Sequence, residues 1–289
     1  MQKIAVLILT YNNKEKVREL IKNVLRQTFK FKDVIVIDNG SEDNTYQMIK
    51  EEFPEIKCLR LRRNIGSEGG FYCALKYGKE KGYDFLWLLD DDIILEDESF
   101  FGRIWKKYGI LFKDDKVAVL GMCRFKPSFE KPLEHDNFCW GGAIIRVKAI
   151  ERAGLPVKEF FLYGGELEYA YRLKYKFGYK IFILPEFLSR RSYAHKRFKF
   201  LGREFNLFVE PHRIYYEARN TIYVEKMYRN YKKLIKIIWG RIKAFIYMLL
   251  FFEFNTVRLF SILQGIIDGL RGRLGVNIKV YKHISTDLR

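Results

Sequence analysis

The sequence is short of the features that would settle its class at a glance. Four cysteines, Cys58, Cys73, Cys123 and Cys139, are scattered with no Cys-x-x-Cys pair. That spacing excludes a zinc ribbon and a dithiol redox motif and fits reduced thiols in a cytosolic protein. No apolar run reaches the roughly 18 residues that a membrane-spanning helix needs. The longest, Ala244–Phe252 and Leu259–Ile267, are nine residues each and are bounded by charge or polarity. Met1-Gln2-Lys3-Ile4 leads straight into a strand-like run, with no charged, apolar and small-residue succession, so no signal peptide is expected. Internal repeats and low-complexity segments are lacking as well. Acid is scarce: 35 Asp and Glu face 53 Lys and Arg, a net charge of +18.

What is present describes a folded chain. Over 289 residues the apolar share is 48%, enough for a substantial core in one large domain or a domain with an appendage. The charge is uneven. Residues 1–185 carry 32 Lys and Arg against 27 Asp and Glu, a balance of +5, whereas 186–289 carry 21 against 8, a balance of +13. A basic, aromatic-rich tail implies an anionic partner: an acidic membrane, a phosphate-bearing substrate or nucleic acid.

Periodicity orders the first ninety residues. Ile4–Leu9 is a continuous apolar run ending at Thr10-Tyr11-Asn12-Asn13, a buried parallel strand leaving through a polar turn. Lys14–Gln27 has helical spacing, Val34–Ile37 is a second strand closing on Asp38-Asn39-Gly40-Ser41, and Asp43–Phe53 a second helix. Lys57–Leu61 is a third strand, Asn64–Gly70 a flexible glycine loop, Phe71–Lys81 a helix, and Phe85–Leu89 a strand running into Asp90-Asp91-Asp92. Alternation of this kind predicts a parallel α/β sheet, whose ligands sit at the carboxyl ends of the strands. The polar clusters at 10–13, 38–41 and 90–92 all fall there. Further on, Val117–Leu120 and Ala143–Val147 read as strands and Val147–Ala153 as a short helix. Glu166–Phe177 reads as a helix, Lys180–Leu184 as a strand ending at Pro185, and the chain beyond Glu210 as helices.

Several clusters carry candidate chemistry. Three adjacent carboxylates repel one another unless a cation neutralises them. In strand geometry Asp90 and Asp92 point the same way and can share a hard divalent ion; the alternative is a solvated acidic turn. Asp38 can accept from a base or ribose, or simply form an Asx turn. Gly66, Gly69 and Gly70 allow close backbone approach to a ligand, but form neither a P-loop nor a GxGxxG signature. Glu166 and Glu168 follow Gly164-Gly165, where a carboxylate also suits a helix start.

Taken in order, the motifs resemble the family 2 glycosyltransferases of GT-A fold, and within them the rhamnosyl- and galactofuranosyltransferase-like branch. The resemblance rests on Leu9-Thr10-Tyr11-Asn12, Val36–Ser41, Asn64–Phe71, Trp87–Asp92, Gly164–Tyr169, Tyr215–Asn220 and the closing Gly265–Arg273. It implies a Rossmann-like, mixed but mainly parallel sheet flanked by helices, with a C-terminal helical extension. Residues 1–209 would be the catalytic domain, with a nucleotide-sugar half at 1–92 and an acceptor half at 93–209, and 210–289 the basic extension.

Site roles follow from matching positions. Thr10, Tyr11, Asn12, Asp38 and Asn39 would hold base and ribose. Asn64, Gly66, Gly69, Gly70 and Asp91 would flank ribose and diphosphate. Asp90 and Asp92 would bind Mn²⁺ or Mg²⁺, with His195 as a further candidate ligand lying about four residues later than the pattern expects. Glu166 stands where the family usually has a catalytic Asp and would be the base. Trp140, Gly141, Gly142 and Glu168 would face the acceptor.

The implied reaction is an inverting, metal-dependent transfer from a UDP- or dTDP-sugar, such as galactofuranose or rhamnose, to a glycan or polyprenyl-linked acceptor in cell-surface polysaccharide synthesis. The tail supports a peripheral position at the cytoplasmic face of the cell membrane. There Arg229, Lys232, Lys233, Lys236 and Lys243 share one helical face beside Leu234, Ile235, Ile238, Trp239, Ile242, Phe245, Ile246 and Leu249, a pattern suited to an anionic interface. Packing on the catalytic domain or a homo-oligomer contact would explain the same helix. A sugar nucleotidyltransferase would show a Gly-rich basic signature near residue 10. A nucleic-acid-binding protein would explain the charge, but no nucleic-acid motif is present.

Overall fold

The computed structural model describes residues 2–190, 197–200, 203–206, 210–251 and 256–277. The chain divides into two units: Met1–Val157 with Glu166–Arg191, and Lys158–Gly165 with Ser192–Arg289.

The first unit is built on strands β1 (Ile4–Thr10), β2 (Asp33–Asp38), β3 (Lys57–Arg60), β4 (Phe85–Asp90), β5 (Ile93–Ile94), β6 (Val117–Cys123), β7 (Leu133–Glu134), β8 (Ile144–Arg146), β9 (Lys180–Phe187) and β10 (Ser189–Arg190). Its helices are α1 (Lys14–Leu25), α2 (Thr45–Glu52), α3 (Gly66–Glu80), α4 (Phe100–Tyr108), α5 (Val147–Ala153) and α6 (Gly165–Tyr171), the last continued by a π turn over Arg172–Lys176. The main sheet has the order β3-β2-β1-β4-β8-β6-β9-β7. β1 pairs in parallel with β2 and β4, β2 with β3, and β6 with β9, while β8 runs antiparallel between β4 and β6. β5 and β10 form a separate antiparallel pair.

β1 explains the layering. All seven of its residues are buried, and their alternation feeds two cores. Ile4, Val6 and Ile8 pack with Val17, Leu20, Ile21 and Val24 of α1 and with Met48 and Ile49 of α2. Ala5, Leu7 and Leu9 pack with Phe71, Ala74 and Leu75 of α3 and with Ala149 and Ile150 of α5. Each fully buried aliphatic side chain contributes about 1.5–3 kcal/mol, so the doubly covered central strands anchor the sheet and fix where their carboxyl ends emerge.

The second unit contains α7 (Pro211–Met227), α8 (Tyr231–Phe251), α9 (Thr256–Arg271) and the hairpin β11 (Arg197–Phe200) with β12 (Arg203–Asn206). α7 and α9 meet at Gly265 and Gly269, where an added Cβ would lie 2.9 Å from the Tyr215 carbonyl and 2.6 Å from the Arg219 carbonyl respectively. Buried Asp268 accepts from Tyr215 Oη at 2.8 Å and Gln264 Nε2 at 2.9 Å. Among the described residues no helix is long and apolar enough to cross a membrane.

Three expectations are corrected. The glycine loop at 64–70 is mostly the first turn and a half of α3, because Gly69 and Gly70 buy close packing: a Cβ on Gly70 would sit 2.3 Å from Leu9 Cδ1. The strand carrying the acidic triplet stops at Asp90; Asp91 and Asp92 form a turn, so strand alternation does not relate Asp90 to Asp92. β9 does not end at Pro185 but continues through it to Phe187.

Candidate active site

The polar clusters at the carboxyl ends of β1, β2 and β4 are tied together by their own side chains. Asp91, at the turn after β4, accepts from Thr10 Oγ1 at 2.8 Å, Asn13 Nδ2 at 2.7 Å and the Tyr11 amide at 3.2 Å. Burial outweighs those three donors and, with the Asp90 charge adding to it, pushes the Asp91 carboxyl up to about 7. Asn12, at φ 47°, donates its backbone amide to Ser41 Oγ at 2.9 Å and accepts the Glu42 amide on Oδ1 at 2.8 Å. Asn39 Nδ2 donates to Asn64 Oδ1 at 3.1 Å and to the Gly66 carbonyl at 3.0 Å, and its Oδ1 accepts the Ile65 amide at 3.1 Å. Asn64 Oδ1 in turn accepts the Gly66 amide at 2.8 Å. Gly40 sits at φ +78°, and a Cβ there would meet the Arg63 backbone at 2.6 Å, so only glycine permits this crossing of loops.

Asp38 forms the expected Asx turn, accepting the Ser41 amide on Oδ1 at 2.9 Å. Its buried Oδ2 accepts no hydrogen bond, and the Arg60 guanidinium lies 3.6 Å away. A buried acceptor left open costs about 1–3 kcal/mol, and here it lies at the end of β2, where a ligand donor would satisfy it.

Glu166 begins α6. The residue is half-buried, yet its Oε2 is sealed from solvent and accepts no hydrogen bond. Burial holds its carboxyl above the ordinary range, the Asp90 charge adds to that, and a hydrogen bond with the Glu68 carboxyl and the Arg124 charge partly offset it. Two carboxyl groups in a hydrogen bond share a proton. Glu68 lies on α3, is 1% exposed, and accepts Trp140 Nε1 on Oε2 at 2.9 Å. The Trp140 ring stacks on Phe71 at 5.6 Å, meets Phe138 edge-on at 5.1 Å and is itself buried. The Trp140–Ala143 turn is pinned to β4 by the Gly142 amide donating to the Leu88 carbonyl at 2.7 Å. Gly142 has φ +100°, with a hypothetical Cβ 2.6 Å from Leu188 Cδ1. Glu168 is buried and ion-paired with Arg172, whose guanidinium also holds the Leu155 carbonyl at 2.8 Å.

The structure thus brings Thr10, Tyr11 and Asp91, with Asn13, into one hydrogen-bonded cluster and Asn39, Asn64 and Gly66 into another, while Asn12 bonds to Ser41 and Glu42 instead. A carboxyl pair joins Glu166 to Glu68. Sequence reasoning assigned Glu68 no role; a lone carboxylate between Gly66 and Gly69 on an otherwise apolar helix face was the available signal. His195 lies outside the described residues. Among the described residues no cluster of three or more His, Cys, Asp and Glu is arranged to hold a metal ion. Asp90 and Asp92 nonetheless supply the hard oxygens that Mn²⁺ or Mg²⁺ prefers, and the Asp90 charge is felt by both Asp91 and Glu166.

A mixed, mostly parallel sheet with its polar loops gathered at one end is the GT-A architecture. Solved structures agree: S. aureus TarS 1–349 in complex with UDP-GlcNAc superposes with a TM-score of 0.59 at 16% identity, covering 93% of this chain and 81% of that one. The mannosyltransferase PcManGT from Pyrobaculum calidifontis, in complex with GDP-Man and Mn²⁺, gives 0.57 at 13% identity, covering 99% and 79%. Residues 5–136 match the family model "Glycosyl transferase family 2". An uncharacterized glycosyltransferase of Rickettsia prowazekii is 29% identical over 136 residues, 47% of this chain and 40% of the relative. The poly-beta-1,6-N-acetyl-D-glucosamine synthase of Staphylococcus epidermidis is 32% identical over 104 residues, 35% of this chain and 24% of the relative. The matched segments therefore span well under half of those relatives.

Proposed function

We propose that this chain transfers a sugar from a nucleotide-sugar donor to an acceptor hydroxyl in a single, inverting displacement, with Glu166 as the base. The observation that carries the reading is the Glu166 carboxyl, held above its ordinary range by burial beside Asp90 at the carboxyl end of β4. A carboxylate whose proton affinity is raised is the stronger base towards an attacking hydroxyl. Asp38, with its open buried oxygen, and the Asn39–Asn64 pair receive base and ribose. Thr10, Tyr11 and Asn12 frame the same end of β1, and Gly66, Gly69 and Gly70 bring the start of α3 close to the diphosphate. Asp91 supports these loops from beneath.

Asp90 and Asp92 are the residues that would hold Mn²⁺ or Mg²⁺, with His195 a further candidate. When bound, the ion supplies charge neutralisation at the departing nucleoside diphosphate. On the acceptor side, Trp140, Gly141, Gly142 and Glu168 shape the wall from within: Trp140 fixes Glu68, and Glu168 anchors Arg172. Glu166 takes the hydroxyl proton as that oxygen attacks the anomeric carbon. With no carboxylate assigned as nucleophile, the anomeric configuration inverts.

The motif resemblance favours a UDP- or dTDP-sugar such as galactofuranose or rhamnose, and a glycan or polyprenyl-linked acceptor. A peripheral position at the inner face of the cell membrane is supported by α8, whose Tyr231, Ile235, Trp239, Ile242 and Ile246 are exposed beside Lys232, Lys236 and Lys243. The direct test is binding and turnover across UDP-, dTDP- and GDP-sugars, with and without Mn²⁺ or Mg²⁺. Metal-dependent selection of one nucleotide is expected; binding of none of them would overturn the reading.

A further inference from the structure

The segment 158–165 runs through unusual backbone just before Glu166. Phe161 has φ 67°, Tyr163 φ 58° and Gly164 φ 83°. Left-handed conformations at bulky residues are strained and persist only where the surroundings over-determine them.

Two adjacent residues of α7 do that. Asn220 is fully buried, and its Nδ2 donates to the carbonyls of Phe160 at 3.0 Å, Leu162 at 2.6 Å and Tyr163 at 2.8 Å. Arg219 donates from Nη2 to the Phe160 carbonyl at 2.8 Å and from Nε to Asn220 Oδ1 at 2.7 Å, which orients the amide. Its third nitrogen, Nη1, holds the Gly275 carbonyl at 2.6 Å, and the Gly275 amide donates to the Glu159 carbonyl at 2.8 Å. The guanidinium lies over the Tyr216 ring at 4.8 Å, and Tyr216 packs on Phe161 at 5.0 Å between centroids. Gly164 fits against Asn220 so closely that a Cβ would stand 2.8 Å from Asn220 Cβ. One residue, Gly165, separates this strained turn from Glu166.

We propose that Arg219 and Asn220 are positioning residues for Glu166: they hold the carbonyls of Phe160, Leu162 and Tyr163 in a left-handed course that sets where α6 begins. The inference rests on the reading of Glu166 as the base. A general base misplaced by about 1 Å loses on the order of 10²-fold in rate, so a residue with no part in the chemistry gains a large effect on turnover through the chain.

The test uses the full chain and two substitutions that disturb the clamp in different ways. Asn220→Asp keeps the shape but turns an acceptor towards three carbonyls. Gly164→Ala keeps every donor but forces a Cβ into the packed contact. Both are expected to lower kcat on the order of 10²-fold while donor KM stays within about twofold. Amide hydrogen exchange, read by mass spectrometry, should accelerate over residues 158–171 and stay unchanged in β1, β2 and β4. Gly82→Ala is the control, a glycine at φ +68° with open space around it, and should leave kcat unaltered. Should Asn220→Asp fail to fold, Gly164→Ala carries the test. Unchanged kcat in a folded variant, or a fall in kcat matched by the loss of folded protein, overturns the proposal. A wild-type protein that turns over no nucleotide sugar would defeat the proposed function instead. The exchange contrast would then decide by itself whether the clamp orders the segment.

Discussion

Replacing Gly269 by alanine should destabilise the helical unit, against the usual effect of that change inside a helix. In an open helix, glycine to alanine gains up to about 1 kcal/mol. At Gly269 the new Cβ would lie 2.6 Å from the Arg219 carbonyl oxygen and 3.0 Å from Ile222 Cβ. Ordinary contacts of this type fall near 3.5 Å, so α9 must move about 0.5–1 Å away from α7. The obstacle is backbone, which no rotamer change relieves. Overpacking of this kind costs about 1–3 kcal/mol, which outweighs the propensity gain and leaves a net loss of up to about 2 kcal/mol. Each kcal/mol shifts Tm by about 4–8 °C for a unit of around 100 residues. Gly240, in the middle of α8 with nothing within 4 Å of a hypothetical Cβ, is the matched comparison and should gain stability. Thermal unfolding followed by circular dichroism compares the two. If Gly269→Ala raises Tm as Gly240→Ala does, the close α7–α9 crossing is refuted.

Two further outcomes follow from the site and the tail. The Glu166 carboxyl has a raised affinity for its proton in the folded state. Its contribution to stability is therefore full below the ordinary glutamate pKa of about 4.3 and is lost as pH rises through the higher folded value. Glu166→Gln should accordingly unfold at a higher temperature than the wild type at pH 8 and show no advantage at pH 4; equal curves at both would remove burial as the cause. The exposed face of α8 should carry the protein upward with vesicles containing anionic lipid in a flotation assay. Ile235→Ser with Trp239→Ser should abolish this, and flotation unaffected by that pair would defeat the assigned face.

The parts of the fold legible in the sequence were those governed by local pattern. Ile4–Leu9 and Phe85–Leu89 declare buried strands by being apolar throughout, and the polar residues after them mark the carboxyl end of the sheet. Glycines were harder. Gly69 and Gly70 suggest a mobile loop when weighed alone, because their function depends on Ile65 and Leu9 lying against them. Glu68 was unreadable for the same reason: its burial is created by Trp140, 72 residues away, and by Glu166, nearly a hundred away. Asp91 sits within an acidic triplet that suggests a uniform metal-binding run, yet the turn after Asp90 directs it back to Thr10 and Asn13. Arg219 and Asn220 were visible only as part of a motif. Their work is done on carbonyl groups, which sequence does not display.

The central claim is that Glu166 removes the proton from the acceptor. Its most direct test compares wild type and Glu166→Gln on the donor that the nucleotide panel selects, measuring donor binding by calorimetry and sugar transfer by product formation. Donor affinity is expected to be unchanged and turnover to fall about 10²–10⁴-fold, the range of general-base catalysis. Transfer by Glu166→Gln at the wild-type rate would contradict the claim.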